Sequence, residues 1–177
     1  MVSVFANNRY TDTELITRKV LTGYLAAAHN EAQVNLVNAP AVAKAHGLRV
    51  TESTVALATN CTELIEVSAV KGDEVCTVAG TFFGNSARIV HIAGHNVETN
   101  PTGRFLFVEN DDRPGIVGTI GTSLGGASVN IANMALSRTS DQTRAVTVIE
   151  VDTEPTPALL QSLRATPGII RVLSFEL

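Results

Sequence analysis

A chain of 177 residues with 45% apolar and 17% charged content is long enough to bury a core, as one large domain or two small ones. Its formal charge of -4 and the lack of any Lys/Arg cluster argue against nucleic acid or an anionic membrane surface as partner. No run approaches the roughly 18 uninterrupted apolar residues of a membrane span. No charged-then-apolar leader opens the chain either, so a cytoplasmic globular protein is expected. Cys61 and Cys76 lack C-x-x-C spacing and read as buried free thiols rather than a disulfide framework.

Residues 2–6 are β-rich and stop at Asn7-Asn8, which predicts a strand. Thr11-Asp12-Thr13-Glu14 has the form of a capping box, so a helix starts there. Ile16, Val20, Leu21, Tyr24, Leu25 and Ala28 then give that helix one apolar stripe to set against a sheet. Residues 34–37 predict a strand that breaks at Asn38-Ala39-Pro40. Asn38 suits the N-cap and Pro40 the first turn of a short helix closed by Gly47. That helix start is either plainly capped or open to an anion. Residues 48–51 continue as strand. Beyond Cys61, β-rich runs at 63–70, 74–83, 88–92 and 95–98 are separated by Lys71-Gly72-Asp73, Gly84-Asn85-Ser86 and Ala93-Gly94. They predict an antiparallel meander with a bulge at Gly80. His91 and His95 have no Cys or carboxylate at ligand spacing, so surface-strand histidines are expected and no metal.

The polar stretch 98–103 marks a boundary, which divides the chain into domains at 1–99 and 103–177. An apolar run at 105–108 halts in Asn110, Asp111 and Asp112, and Pro114 presets a first helical turn. Ile116, Val117, Ile120 and Leu124 recur at helical spacing until Gly125-Gly126. A strand at 128–134, a turn at 137–142, a strand at 143–151, a helix at 155–165 and a strand at 169–175 complete a ferredoxin-like split βαβ unit. The fold class is therefore α+β, with two domains. A helix N-terminus facing a strand end gathers N–H groups at one spot. Asp112 there either caps the helix or takes an ammonium group, and Asn130 faces it as donor to a carboxylate or hydroxyl; together they predict one pocket for a zwitterion. Gly118 and Gly121 are expected to let the helix approach its sheet or the ligand, since no G-x-G-x-x-G is spelled. Both faces of 105–108 and of 143–151 are apolar, so the face away from the helices is covered by a partner subunit or by the first domain. No G-x-S-x-G, P-loop, Cys/His pair or metal cluster is found, so no catalytic residue is assigned.

Asn110-Asp111-Asp112-Arg113-Pro114-Gly115, with the following helix and Val129-Asn130-Ile131-Ala132, closely resembles the opening half of an ACT domain, in the version found at the C-terminus of D-3-phosphoglycerate dehydrogenase. The resemblance implies a βαββαβ regulatory module that binds L-serine or another small amino acid between subunits. It carries the effector contacts to Asn110, Asp112 and Asn130, with Asn110 standing where well-known members have His or Tyr. Val34-Asn35-Leu36-Val37-Asn38-Ala39-Pro40, Val78-Ala79-Gly80-Thr81, Phe83-Gly84 and Arg88-Ile89-Val90 leading to Gly94 are similar to the allosteric substrate-binding domain of the long form of that enzyme. Related domains occur in iron–sulfur L-serine dehydratases. This second resemblance implies anion binding by Arg88 and, across a one-residue gap, His95; a further family Arg falls near Glu98 or Thr99, which are not basic. Together the resemblances imply the feedback-inhibition portion of a homo-oligomeric (dimer or tetramer) enzyme of serine biosynthesis. The chain itself would then hold no cofactor and do no catalysis, with NAD in the catalytic domains of the parent. The alternatives are an oligomerisation module without ligand response and a free-standing ACT regulator of another amino-acid enzyme.

Overall fold

A computed structural model of the chain describes residues 1–7, 12–29, 33–55 and 63–177. The elements run β1 (Val2–Asn7), α1 (Glu14–His29), α2 (Ala39–Ala45), β2 (Val50–Val55), β3 (Ile65–Lys71), β4 (Glu74–Phe83), β5 (Ser86–Ile92) and β6 (His95–Thr99). They continue with β7 (Arg104–Asp111), α3 (Ile116–Gly126), β8 (Ile131–Arg138), β9 (Arg144–Val151), α4 (Pro157–Arg164) and β10 (Ile169–Glu176). One sheet has six strands in the order β2-β1-β3-β4-β5-β6, and the other has four in the order β10-β7-β9-β8. This is the expected α+β content. The chain divides into two compact units, residues 1–86 with 92–94 and residues 87–91 with 95–177.

In the first unit β1 pairs parallel with β2 and antiparallel with β3. The apolar stripe of α1 buries Leu21 and Leu25 against Ala39 and Ala43 of α2, with Tyr24, Val34 and Val50 packed around them. Thr11 of the expected capping box lies outside the described residues. The Asp12 carboxylate accepts the Glu14 N–H at 2.9 Å, while Glu14 accepts Arg18 one turn on. The strand expected at 34–37 is not formed. Asn35 Oδ1 accepts the N–H groups of Val37 and Asn38, and Asn38 Oδ1 accepts that of Asn35, so side chains close a turn that competes with extended backbone. Asn38 is spent on that turn and makes no side-chain cap on α2, although Pro40 does sit in its first turn. β2 starts two residues later than expected, after Arg49 O accepts the Val2 N–H.

The strands β3 to β6 follow one another in chain order, as a meander does. Ala93 and Gly94 both hold positive φ (50° and 89°), the geometry of a tight two-residue hairpin. The β3–β4 register runs unshifted through Ile65↔Gly80, so that pairing has no bulge. Cys76 is exposed rather than buried, since it lies opposite Ala69 on the open side of β4; Cys61 lies outside the described residues.

In the second unit one face of the sheet packs Leu106, Val108, Ile149 and Val151 against Ile116, Ile120 and Leu124 of α3 and Leu159 and Leu163 of α4. The opposite face carries Phe105, Phe107, Val146 and Val148, all buried in the single chain. Strand β6, in this same unit, runs against β8 and β9, so that face needs no second subunit to leave water. Thr156 caps α4 by accepting the Leu159 N–H. β8 begins later than expected because Ser128, with φ 58°, turns the chain first. Leu124 is fully buried while Val37 is 84% exposed. Leu124→Ala should therefore cost about 2–5 kcal/mol in denaturant unfolding, whereas Val37→Ala should stay within about 0.5 kcal/mol.

Candidate functional site

The corner between β7 and α3 is fixed by backbone bonds before any side chain acts. The Asp111 N–H donates to Gly168 O at 2.8 Å, the Asp112 N–H to Thr143 O at 3.0 Å, and the Arg113 N–H to Asp111 O at 3.0 Å. Arg113 adds a guanidinium bond to Pro167 O at 2.5 Å. Gly115, with φ 92°, is the N-cap of α3, and no side chain caps the helix. The expected cap by Asp112 is thus corrected. Pro114 and the left-handed Gly115 place Asp112 three residues ahead of the cap, too far back for its carboxylate to reach the first-turn amides. The N–H groups at the start of α3, with the positive end of the helix dipole behind them, face outward without a side-chain acceptor.

Asn110 sits at the end of β7 on the helix side of the sheet, 2% exposed. Its Nδ2 donates to Asp111 O at 2.7 Å, but its Oδ1 accepts nothing among the described residues. A buried amide oxygen left in this state is costly in a fold that has no use for it. The Asp112 carboxylate, on a largely buried side chain, is held by the Nε–H of Arg138 at the end of β8. Sequence reasoning missed Arg138, because only the sheet topology brings it 26 residues back to Asp112.

Asn130 lies elsewhere. Asp111 pairs with Arg144 and Ile131 with Val151, so Asp112 and Asn130 stand at opposite ends of the sheet. The length of β9 keeps them roughly 23 Å apart at the usual rise of about 3.3 Å per residue. Asn130 is exposed, and its Nδ2 donates to Asp152 Oδ2 at 2.6 Å. The single-chain pocket framed by Asp112 and Asn130 is therefore not formed. Helix α3 carries the chain away from Asp112 before Asn130 is placed, and β8 then returns it to Asp112 at Arg138. Gly118 and Gly121 do not mediate close packing either, since a Cβ at either would meet nothing within 4 Å.

Arg88 lies in a cleft of about 550 Å³ with Glu98, Thr99, Asn100 and residues 132–135. Its Nε is 3.8 Å from Glu98 Oε1, so part of its charge is already balanced. His95, half-buried on β6, does not line that cleft, and the two basic residues are not gathered there. His91 Nδ1 is 3.2 Å from Asn96 Oδ1. Among the described residues no group of three His, Cys, Asp or Glu side chains is placed to hold a metal ion. No helix of the described residues is long and apolar enough to cross a membrane.

The second unit is thus an α+β module of ferredoxin-like βαββαβ order, with an uncapped helix N-terminus near a buried amide oxygen that has no donor among the described residues. Family models agree with that class. The D-3-phosphoglycerate dehydrogenase intervening domain matches residues 6–93, and the ACT domain matches residues 104–168. Similar proteins include a D-3-phosphoglycerate dehydrogenase of Archaeoglobus fulgidus, 33% identical over 168 residues, covering 94% of this chain and 32% of that one. One of Bacillus subtilis is 29% identical over 167 residues, with 94% and 32% covered. One of Mycobacterium tuberculosis is 34% identical over 144 residues, with 80% and 27% covered. The chain spans about a third of the length of these relatives or less. It is a D-3-phosphoglycerate dehydrogenase intervening domain followed by an ACT domain, the C-terminal regulatory region of that family. The catalytic domains lie outside the residues it shares with those relatives.

Asn110→Leu removes an orphaned acceptor, together with the Nδ2 bond to Asp111 O, and keeps the branched shape of the side chain. Denaturant unfolding should show stability unchanged within about 1 kcal/mol or raised. A loss of several kcal/mol would mean that Asn110 serves the fold instead of a ligand.

Proposed function

We propose that this chain is the effector-binding portion of a D-3-phosphoglycerate dehydrogenase of serine biosynthesis, taking L-serine or another small amino acid where two ACT modules meet. The observation that carries the reading is the buried Asn110 Oδ1 with no donor, beside the uncapped start of α3. An amino-acid zwitterion complements both features. Its ammonium group donates to Asn110 Oδ1 and to the Asp112 carboxylate, and its carboxylate takes the first amides of α3. Arg138, now paired with Asp112, shares that carboxylate or yields it to the incoming ammonium.

The third contact comes from a second copy. β8 is an outer strand of its sheet, with no further strand of the described residues hydrogen-bonded to it. Antiparallel pairing of two β8 strands across a two-fold axis sets the start of one beside the end of the other. Asn130 of the second copy then stands next to Arg138 and Asp112 of the first. Each dimer has two such sites, both split between chains. Ligand binding stabilises this one arrangement, and feedback inhibition follows by linkage if the attached catalytic domains close less readily in it. NAD chemistry belongs to those domains. Arg88, with its acidic neighbour Glu98, is a weaker candidate for an anion contact.

Calorimetry of the chain against a panel of amino acids should give L-serine one site per chain, with sedimentation showing a ligand-stabilised dimer. Asp112→Ala should weaken serine at least about tenfold without loss of the fold. Absence of heat with every amino acid at millimolar concentration, or a dimer indifferent to ligand, would leave an oligomerisation module in place of this reading.

A further inference from the structure

The first unit contains a cleft of about 610 Å³ between α1, α2 and β2, of a size that holds a small organic ligand. Leu21 and Ala43, both almost fully buried, form its floor, with Leu48 and Val50 half-buried beside them. Five charged side chains line it, and their pairing is uneven. Glu14 and Arg18 neutralise each other through bonds of 2.6 and 3.0 Å. Glu52 accepts the Thr13 hydroxyl at 2.7 Å. Lys44 and Arg49 have no carboxylate within ion-pair distance among the described residues. With Glu52 set against one of them, a single positive charge is left over.

A second observation points into the same cleft. Thr17, 4% exposed, lines it, and its Oγ1 has no partner among the described residues. A helical threonine ordinarily returns its hydroxyl to the carbonyl four residues back, as Thr22 does to Arg18 O at 2.8 Å. Thr17 does not, so a buried hydroxyl donor remains unused beside an apolar floor and two free cations. A buried donor without a partner is costly, and a ligand acceptor reached by rotation of the Thr17 side chain would relieve that cost.

We propose that this cleft is a second ligand site, independent of the ACT module, for a small carboxylate with one negative charge and an apolar body. The carboxylate would take Lys44 and Arg49, with the Thr17 hydroxyl donating to it, and the apolar part would lie along Leu21, Leu48 and Val50. A dianion is disfavoured, because Glu14 and Glu52 on the same wall repel its second charge. A cation meets the surplus positive charge of the cleft.

Saturation-transfer NMR and calorimetry with phenylacetate, and with benzylammonium as the charge-reversed probe carrying the same benzyl body, test this on the full chain. Phenylacetate should bind at least about tenfold more tightly than benzylammonium. The double variant Lys44→Gln, Arg49→Gln should weaken phenylacetate at least about tenfold while leaving benzylammonium unaffected. Both side chains are exposed, so the fold should persist, as circular dichroism will show. Thr17→Val should weaken phenylacetate by a smaller factor with the apolar floor intact. The proposal is overturned if the two probes bind alike, if the double variant keeps its phenylacetate affinity, or if phenylacetate fails to bind at about 10 mM.

Discussion

The antiparallel register of β7, β9 and β8 is the constraint on which the proposed effector site depends. It puts the end of β7 and the end of β8 side by side, which joins Asp112 to Arg138. The same register sends Asn130 to the far end of the sheet. A ligand that needs both residues cannot be held by one chain, whatever its side chains do. In the proposed reading the split of the site between copies is a consequence of strand order, and ligand binding and association become one equilibrium.

Around that constraint the module carries unsatisfied polarity among its described residues. Leu106, Val108, Ile120, Leu124 and Ile149 are buried on the helix side of the sheet, each worth roughly 1.5–3 kcal/mol. That margin tolerates a buried amide oxygen at Asn110 and an uncapped helix start three residues beyond Asp112. Both are defects in a purely structural module and both are complementary to a zwitterion. The opposite face is closed within the chain by β6, so association, where it occurs, falls to the sheet edge rather than to an exposed apolar face.

Much of this was legible in the sequence where side-chain period and turn chemistry speak locally. The strands 74–83 and 95–98, the helix from Ile116 and the ferredoxin-like order follow from alternation, helical spacing and glycine position. Segments failed where a side chain competed with the backbone. Asn35 and Asn38 turned a β-rich run into a closed loop, and Ser128 delayed β8. The candidate residues of the proposed site were readable from the Asn-Asp-Asp-Arg-Pro-Gly segment and from Val-Asn-Ile. Their placement was not, since sequence spacing carries no information about which end of a sheet a residue reaches. Arg138 was invisible for the same reason, because nothing local marks it as the partner of Asp112.

The split site is tested most directly by mixing two defective chains. Asp112→Ala and Asn130→Ala variants should each fail to bind serine alone. After unfolding and refolding together, a mixed dimer joins the intact Asp112 of one chain to the intact Asn130 of the other, and binding should return at one site per mixed dimer. If mixed dimers form and no binding returns, the two residues do not share a ligand across the interface, and the account of the effector site is wrong.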